Sequence, residues 1–313
     1  MSYVSALANN AQIVQVTPGV GSYFSTPSEQ LDPRLFTNES LNVTVRESIL
    51  QLLFAHLSAH YVDPELWTKA WLAGSGVSYQ WEAARDPGDL DCLVGVDYPA
   101  FRQSNPEFAG LGDVEISKMF NEDFVESLWP LTASFMGSFE LTFYVNPQTD
   151  IRRIMPYAAY DLLNDEWTVH PQKNQRAPEA AKWDVKVKDD YTQAVGIIGR
   201  YTQALTAVQN ATNPAARLNA ERALVMATEQ AADLFETVHA GRKVAFSEVG
   251  AGYGDFHNYR WQAGKRNGTL SALRKIKDFR DAALKSDAAQ TYGVELPDAR
   301  TLTRRAATRG MGK

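Results

Sequence analysis

The stretch from Leu72 to Asp97 constrains this chain more than any other part of it. An apolar run ends in Gly74-Ser75, an irregular connector runs from Gly76 to Gly88, and a second apolar run opens with Asp89-Leu90-Asp91. Read as strands, the two runs alternate faces, so Asp89 and Asp91 project side by side from one face. Leu90, Cys92, Val94 and Val96 share the other. Two carboxylates so placed repel each other unless a cation sits between them. Hard oxygen donors on neighbouring side chains suit Mg2+, which takes one or two carboxylates and completes its shell with water and substrate phosphates. The stretch therefore reads as a metal-dependent phosphoryl- or nucleotidyl-transfer site.

The rest of the chain sets bounds on that reading. Its 313 residues are 44% apolar and 22% charged, the balance of a soluble globular protein long enough for two domains. No apolar run approaches the ~20 residues that cross a bilayer, and Met1 to Val16 has neither a basic start nor a long apolar segment. One cysteine, Cys92, leaves no intramolecular disulfide and no cysteine-based zinc site. A cytoplasmic location is the expectation. The net charge of −6 is uneven: Arg242 to Lys313 holds 15 basic and 7 acidic residues, a net +8, against −14 before it, from totals of 31 and 37. A basic C-terminal quarter suits a polyanion such as nucleic acid or a nucleoside triphosphate; the alternative is solvated helix faces. The last stretch, from Arg300, reads as a frayed tail.

Periodicity gives three regions: an arm over residues 1–40, a mixed α/β domain over 41–172 and a helical domain over 173–313. Val45, Ile49, Leu52, Leu53 and Leu57 mark a helix within Leu41 to His60, with Asn38 or Ser40 as its cap. Strands are expected over Trp67 to Ala73, Asp89 to Val96 and Gly137 to Val145. A helix is expected over Val114 to Trp129, where Ile116, Phe120, Phe124 and Leu128 are spaced by four. On the third strand Glu140 and Thr142 share a face, with Phe139, Leu141 and Phe143 on the other. Two long helices follow, broken at Asn213-Pro214, and a third lies near Thr269 to Leu284.

In order and spacing, Gly74-Ser75 after a strand, the Asp89-x-Asp91 pair on the next and Glu140 on a later one resemble the DNA polymerase β-type nucleotidyltransferase superfamily. The likeness covers residues 45 to 146. It implies an α+β fold, a polymerase-β-like domain with a mixed sheet followed by a helical domain. It also implies transfer of an NMP from an NTP to a hydroxyl acceptor, with loss of pyrophosphate. By the same likeness Asp89, Asp91 and Glu140 are catalytic and hold Mg2+ or Mn2+. Backbone N–H groups near Gly74-Ser75, with the Ser75 hydroxyl and Ser78, hold the triphosphate. The chain is also similar to nucleotidyltransferases of actinobacterial phage genomes, a likeness that carries no biochemical role and would place the protein in the host cytoplasm.

Lys243 and Lys265 are the candidate triphosphate cations, against the alternative of ordinary surface lysines. Tyr253 to Trp261, and Tyr157 with Tyr160, are candidates either to stack a base or to pack a core. The acceptor stays open between an RNA or tRNA 3′ end, a protein side chain and a second nucleotide. A silent or partner-activated protein of the same fold is the competing reading. Asp97 falls beyond the site, and Asp113-Val-Glu115 opens a helix. His56 and His60 share a helix face and border the core. No Gly-x-x-x-x-Gly-Lys-Ser loop and no Gly-x-Gly-x-x-Gly after a strand is present, which removes P-loop and dinucleotide-fold readings.

Overall fold

The structure, a computed structural model, describes residues 3–24, 26–83, 87–146, 150–173 and 180–292. These divide into two compact units. One holds residues 26–173; the other joins residues 3–24 to 180–292. The segment expected as an arm over 1–40 is thus shared: its first helix, α1 (Tyr3–Asn10), is part of the helical unit, and the residues from 26 onward are part of the other. No helix among the described residues is long and apolar enough to cross a membrane.

The larger unit opens with a two-stranded ribbon, β1 (Phe36–Thr37) and β2 (Ser40–Leu41). Next come α2 (Val43–Ser58) and α3 (Pro64–Trp67), then β3 (Thr68–Ala73), β4 (Gly88–Val96) and α4 (Tyr98–Ser104). The α5 helix (Asp113–Asp123) runs through a π turn at Phe124–Leu128 into α6 (Trp129–Thr132). The strands β5 (Phe139–Val145), β6 (Ala159–Asp161) and β7 (Glu166–Val169) complete a five-stranded mixed sheet of order β5-β4-β3-β6-β7, giving an α+β unit. Only β4 and β5 are parallel.

One face of this sheet builds the main core. Leu72, Leu90, Cys92, Val94, Leu141 and Phe143 pack with Ile49, Leu53 and Leu57 of α2 and with Ile116 and Phe120 of α5. The α2 cap differs from expectation. Asn38 adopts a left-handed turn at φ 57°, Ser40 lies in β2, and Asn42 begins the helix, its side chain accepting from Thr37 Oγ1 at 2.8 Å. The helix expected over Val114 to Trp129 is also interrupted. Residues spaced by four drift about 40° per step on an α-helix, so three such steps would carry Leu128 about 120° round from Ile116. A wide π turn absorbs the drift, and Ile116, Phe120, Phe124 and Leu128 all stay 0–1% exposed. Pro130, which offers no N–H, then fixes the start of α6. Beneath the turn, Asp123 is fully buried and meets His56 Nε2 at 3.2 Å and the Tyr61 hydroxyl at 3.2 Å.

The helical unit comprises α7 (Ala180–Gln209), α8 (Pro214–Ala245), α9 (Phe256–Arg266) and α10 (Thr269–Tyr292), with α1. Asn213 caps α8 by accepting from the Ala216 N–H at 2.9 Å, with Pro214 in the first turn as expected. Leu7 of α1, Ile198 and Tyr201 of α7, Leu224 and Val238 of α8, and Ile276 of α10 share one apolar core. The third expected helix, Thr269 to Leu284, runs on to Tyr292 as α10. The C-terminal tail from Arg300 lies outside the described residues.

Candidate functional site

Strand pairing decides which side chains meet. Asp89 and Asp91 stand on the face of β4 opposite Leu90 and Cys92, both of them buried in the core. Parallel register sets Glu140 of β5 across from Asp89, and Thr142 across from Asp91. Partners across a pair project to the same side, so Asp89, Asp91 and Glu140 occupy adjacent positions of one face, on strands about 4.8 Å apart. All three are half-buried. Burial, then the charge of Asp91, pushes the Cys92 thiol up, which keeps it a neutral core group.

The Gly-Ser turn lies against the pair. Antiparallel register places Ala73 opposite Asp91, and the chain then turns at Gly74 with φ 94°. A Cβ there would stand 3.0 Å from Asp91 Oδ2, and one at Gly76 would collide with the backbone oxygen of Asp89. Two glycines therefore let the turn close directly on the acids. The Gly74 N–H is taken by the Ala158 carbonyl at 3.1 Å. Ser75 opens a short 3-10 turn, Ser75–Val77, and is half-buried. Ser78 is different: it is 0% exposed, its hydroxyl donates to the Ser75 carbonyl at 3.0 Å and accepts from the Gln80 N–H at 3.1 Å. It closes the loop from inside and does not face the carboxylates' solvent side.

Three side chains around Glu140, the start of β4 and the loop after Ser75 carry no sequence motif. Trp129, at the head of α6, donates its indole N–H to Glu140 Oε1 at 3.2 Å. Arg34 is held by the buried carboxylate of Asp32, with Nη2 to Oδ2 at 2.6 Å and Nε to Oδ1 at 3.0 Å. Its guanidinium carbon lies 4.5 Å over the Phe139 ring and 5.8 Å over Trp81. A Cβ at Gly88 would stand 3.5 Å from Arg34 Nη2, which puts this cation at the start of β4 on the Leu90 and Phe139 face, opposite the face that bears Asp89 and Glu140. Lys173 sits 5.2 Å over the Tyr79 ring and 3.3 Å from Glu29 Oε2. The segment bearing Asp32 and Arg34 is itself tied to the loop: Ser28 N–H donates to the Tyr79 carbonyl at 2.8 Å, and Trp81 Nε1 to the Gln30 carbonyl at 2.9 Å.

No protein-family model, curated protein or solved structure matches the chain. The reading of the site rests on its own residues.

Beyond Asp91 the same face is closed. Trp71, Ala73, Leu93 and Ala159 form a small apolar cluster with Ile151 and Ile154 of a 3-10 turn, which exposes Arg152 and Arg153. Asp97 caps α4 by accepting from the Ala100 N–H at 3.1 Å, past the site as expected. Asp113 pairs with Arg102, and Glu115 accepts from the Gly112 N–H at 2.8 Å, both at the start of α5.

The two lysines and the aromatic candidates from Tyr253 to Trp261 are part of the helical unit. Lys243 and Lys265 lie in the helical unit, on the last turns of α8 and α9. Tyr253 stacks on Tyr23 at 4.5 Å, and Tyr259 meets Tyr23 edge-on, within that unit. Tyr157 and Tyr160 are 4% and 3% exposed, so both pack an interior and offer no ring to a base.

The donor set fits a hard divalent cation: carboxylate oxygens on adjacent strand positions, with backbone able to approach closely. As the side chains stand, the described residues contain no group of three or more His, Cys, Asp or Glu close enough to hold a metal ion. The Glu140 carboxylate is turned to Trp129.

Proposed function

We propose that the sheet unit is a Mg2+-dependent nucleotidyltransferase, moving an NMP from an NTP to a hydroxyl acceptor. The observation that carries the reading is the register of β4 and β5. It sets Glu140 across from Asp89 on the face that bears Asp91, while Gly74 packs on Asp91 itself. Carboxylates set on adjacent positions of two neighbouring strands repel one another unless positive charge joins them.

Mg2+ or Mn2+ would be held by Asp89, Asp91 and Glu140 and would supply charge stabilisation to an in-line displacement. The chain's own groups do the rest. The acceptor oxygen attacks the α-phosphorus, the bond from that phosphorus to its bridging oxygen breaks, and pyrophosphate leaves. Where Glu140 does not hold the cation, it takes the acceptor's proton. The Ser75 hydroxyl and the backbone beyond Gly74 meet the β- and γ-phosphates. Lys243 and Lys265 are further cations for the triphosphate under this reading. The acceptor is RNA or tRNA, a protein side chain or a nucleotide, and the reaction belongs to the cytoplasm, that of the host for a phage protein.

A second reading is favoured by one observation, the hydrogen bond that ties Glu140 to Trp129. In that reading the fold binds nucleotide without turnover, or turns over only once a partner frees Glu140. Incubation with each α-32P-labelled NTP, Mg2+ or Mn2+ and total RNA separates the two, with Asp89→Ala/Asp91→Ala as control. Label transferred by the wild type alone supports the enzyme. Metal-dependent NTP binding without transfer supports the second reading. Neither binding nor transfer sinks both.

A further inference from the structure

The C-terminal half of α8, the middle of α9 and the first turns of α10 gather nitrogen donors that the transfer reading does not use. Arg242 Nε, Trp261 Nε1 and His257 Nδ1 are each buried without a hydrogen-bond partner. They are neighbours. The Arg242 guanidinium carbon lies 4.9 Å over the Trp261 ring, and the His239 ring is 5.5 Å from the same indole. A Cβ at Gly241 would stand 2.6 Å from His257 Nδ1, so that imidazole packs on the α8 backbone one residue before Arg242. His257 and Trp261 are four apart on α9 and therefore share its face.

An arginine Nε–H and an indole N–H are donors in every protonation state, so what they lack is an acceptor. Buried donors left unmade are rare in native proteins and call for a missing partner. The surroundings give that partner its charge. Lys243, Arg242, Arg274 and Lys277 all act on His239 and, after burial itself, lower its proton affinity. Of the four, Lys277 pairs with Asp281, while Arg242, Lys243 and Arg274 form no ion pair with a described residue. Lys243 and Arg274 are exposed. Directional donors from two helices, ringed by cations, match an anion that presents several oxygens at once.

We propose that this face of the helical unit binds a phosphate group that draws Arg242 off the Trp261 ring, so that both sealed donors reach its oxygens, with Arg274 and Lys277 supplying the attracting charge. The phosphate belongs either to a nucleic-acid backbone or to a free polyphosphate. The site is independent of the carboxylate cluster and of the transfer reading.

The test uses the full chain at low salt in EDTA, with two probes: a short fluorescein-labelled oligouridine read by anisotropy, and inorganic tripolyphosphate read by calorimetry. At least one binds the wild type. Arg242→Gln weakens that binding about tenfold, and Arg274→Gln and Trp261→Phe about threefold each. Arg274→Gln also lowers the salt slope for the oligonucleotide by about one. Arg217→Gln, on the exposed first half of α8 and paired with Glu221, changes nothing. Binding of the oligonucleotide alone assigns the phosphate to a nucleic-acid strand; tripolyphosphate that binds and competes assigns it to a free polyphosphate. Absence of binding by both probes overturns the proposal. So does binding that Arg242→Gln, Arg274→Gln and Trp261→Phe leave unchanged, or that Asp89→Ala/Asp91→Ala abolishes. Should Arg242→Gln fail to fold, the exposed Arg274 and the ring-preserving Trp261→Phe still decide the matter.

Discussion

Gly74 and Trp129 each act on one carboxylate, and each can be changed without removing it. At φ 94° an alanine is strained by about 1–2 kcal/mol, and its Cβ would press on Asp91 Oδ2. Gly74→Ala is expected to lower the melting temperature by several degrees and to reduce Mg2+-dependent NTP binding more than that loss of stability accounts for. Circular dichroism and calorimetry on one preparation measure both. Trp129→Phe keeps the ring and deletes the donor to Glu140. The expected result is a fall in kcat of about threefold to tenfold at unchanged KM, the mark of a group that orients a catalytic acid. A rise in activity instead would identify the indole as a latch and favour partner activation. The faces of Asp89, Asp91 and Glu140 were legible in the sequence because strand alternation is a local rule. Ser78 was misread for a matching reason: its hydroxyl is used two and three residues away to shape the turn, which spacing does not reveal.

At the level of elements, the π turn and the buried Asp123 beneath it form one support for α6 and hence for Trp129. Asp123 is fully buried, with His56 and Tyr61 as partners. Asp123→Ala leaves those groups without their acceptor and should cost about 3 kcal/mol, seen as a urea midpoint lower by about 1–2 M. A midpoint within error of wild type would show that the pair contributes nothing net. The strict four-residue spacing from Ile116 to Leu128 drifts about 120° round an α-helix, which an unbroken helix with a wide apolar stripe also accommodates, so the π turn was not legible in it. Nor was pairing legible. Nothing local says that β4 and β5 run parallel, or that Glu140 falls opposite Asp89 and not two residues along. The β6 and β7 strands were not foreseen, being three and four residues long, too short for alternation to register.

For the whole molecule, sequence order and spatial grouping disagree at the N-terminus. Residues 3–24 lack the periodicity that marks the long helices, yet Leu7 is 0% exposed in the core of the helical unit. Leu7→Ala should destabilise that unit by about 2–5 kcal/mol, and urea unfolding followed by circular dichroism measures it. If instead the variant unfolds like the wild type, α1 contributes little to the core it touches. The contacts of Arg34 with the start of β4 and of Lys173 with Tyr79 were missed for a related reason: each residue comes from a stretch without pattern, and the contacts close over long separations.

The interleaving has a consequence for how the protein is made. On a ribosome α1 emerges first, yet the helices that cover Leu7 begin at residue 180. At about 5–20 residues per second, translation leaves the helix waiting roughly 10 to 30 s for its neighbours, while the whole sheet unit is synthesised. For that interval Leu7 and Ala11 are open to chaperones or to the wrong surface. The same threading means that no single cut isolates the helical unit, and only a rearranged gene, with residues 3–24 moved behind 292, would express it in one piece.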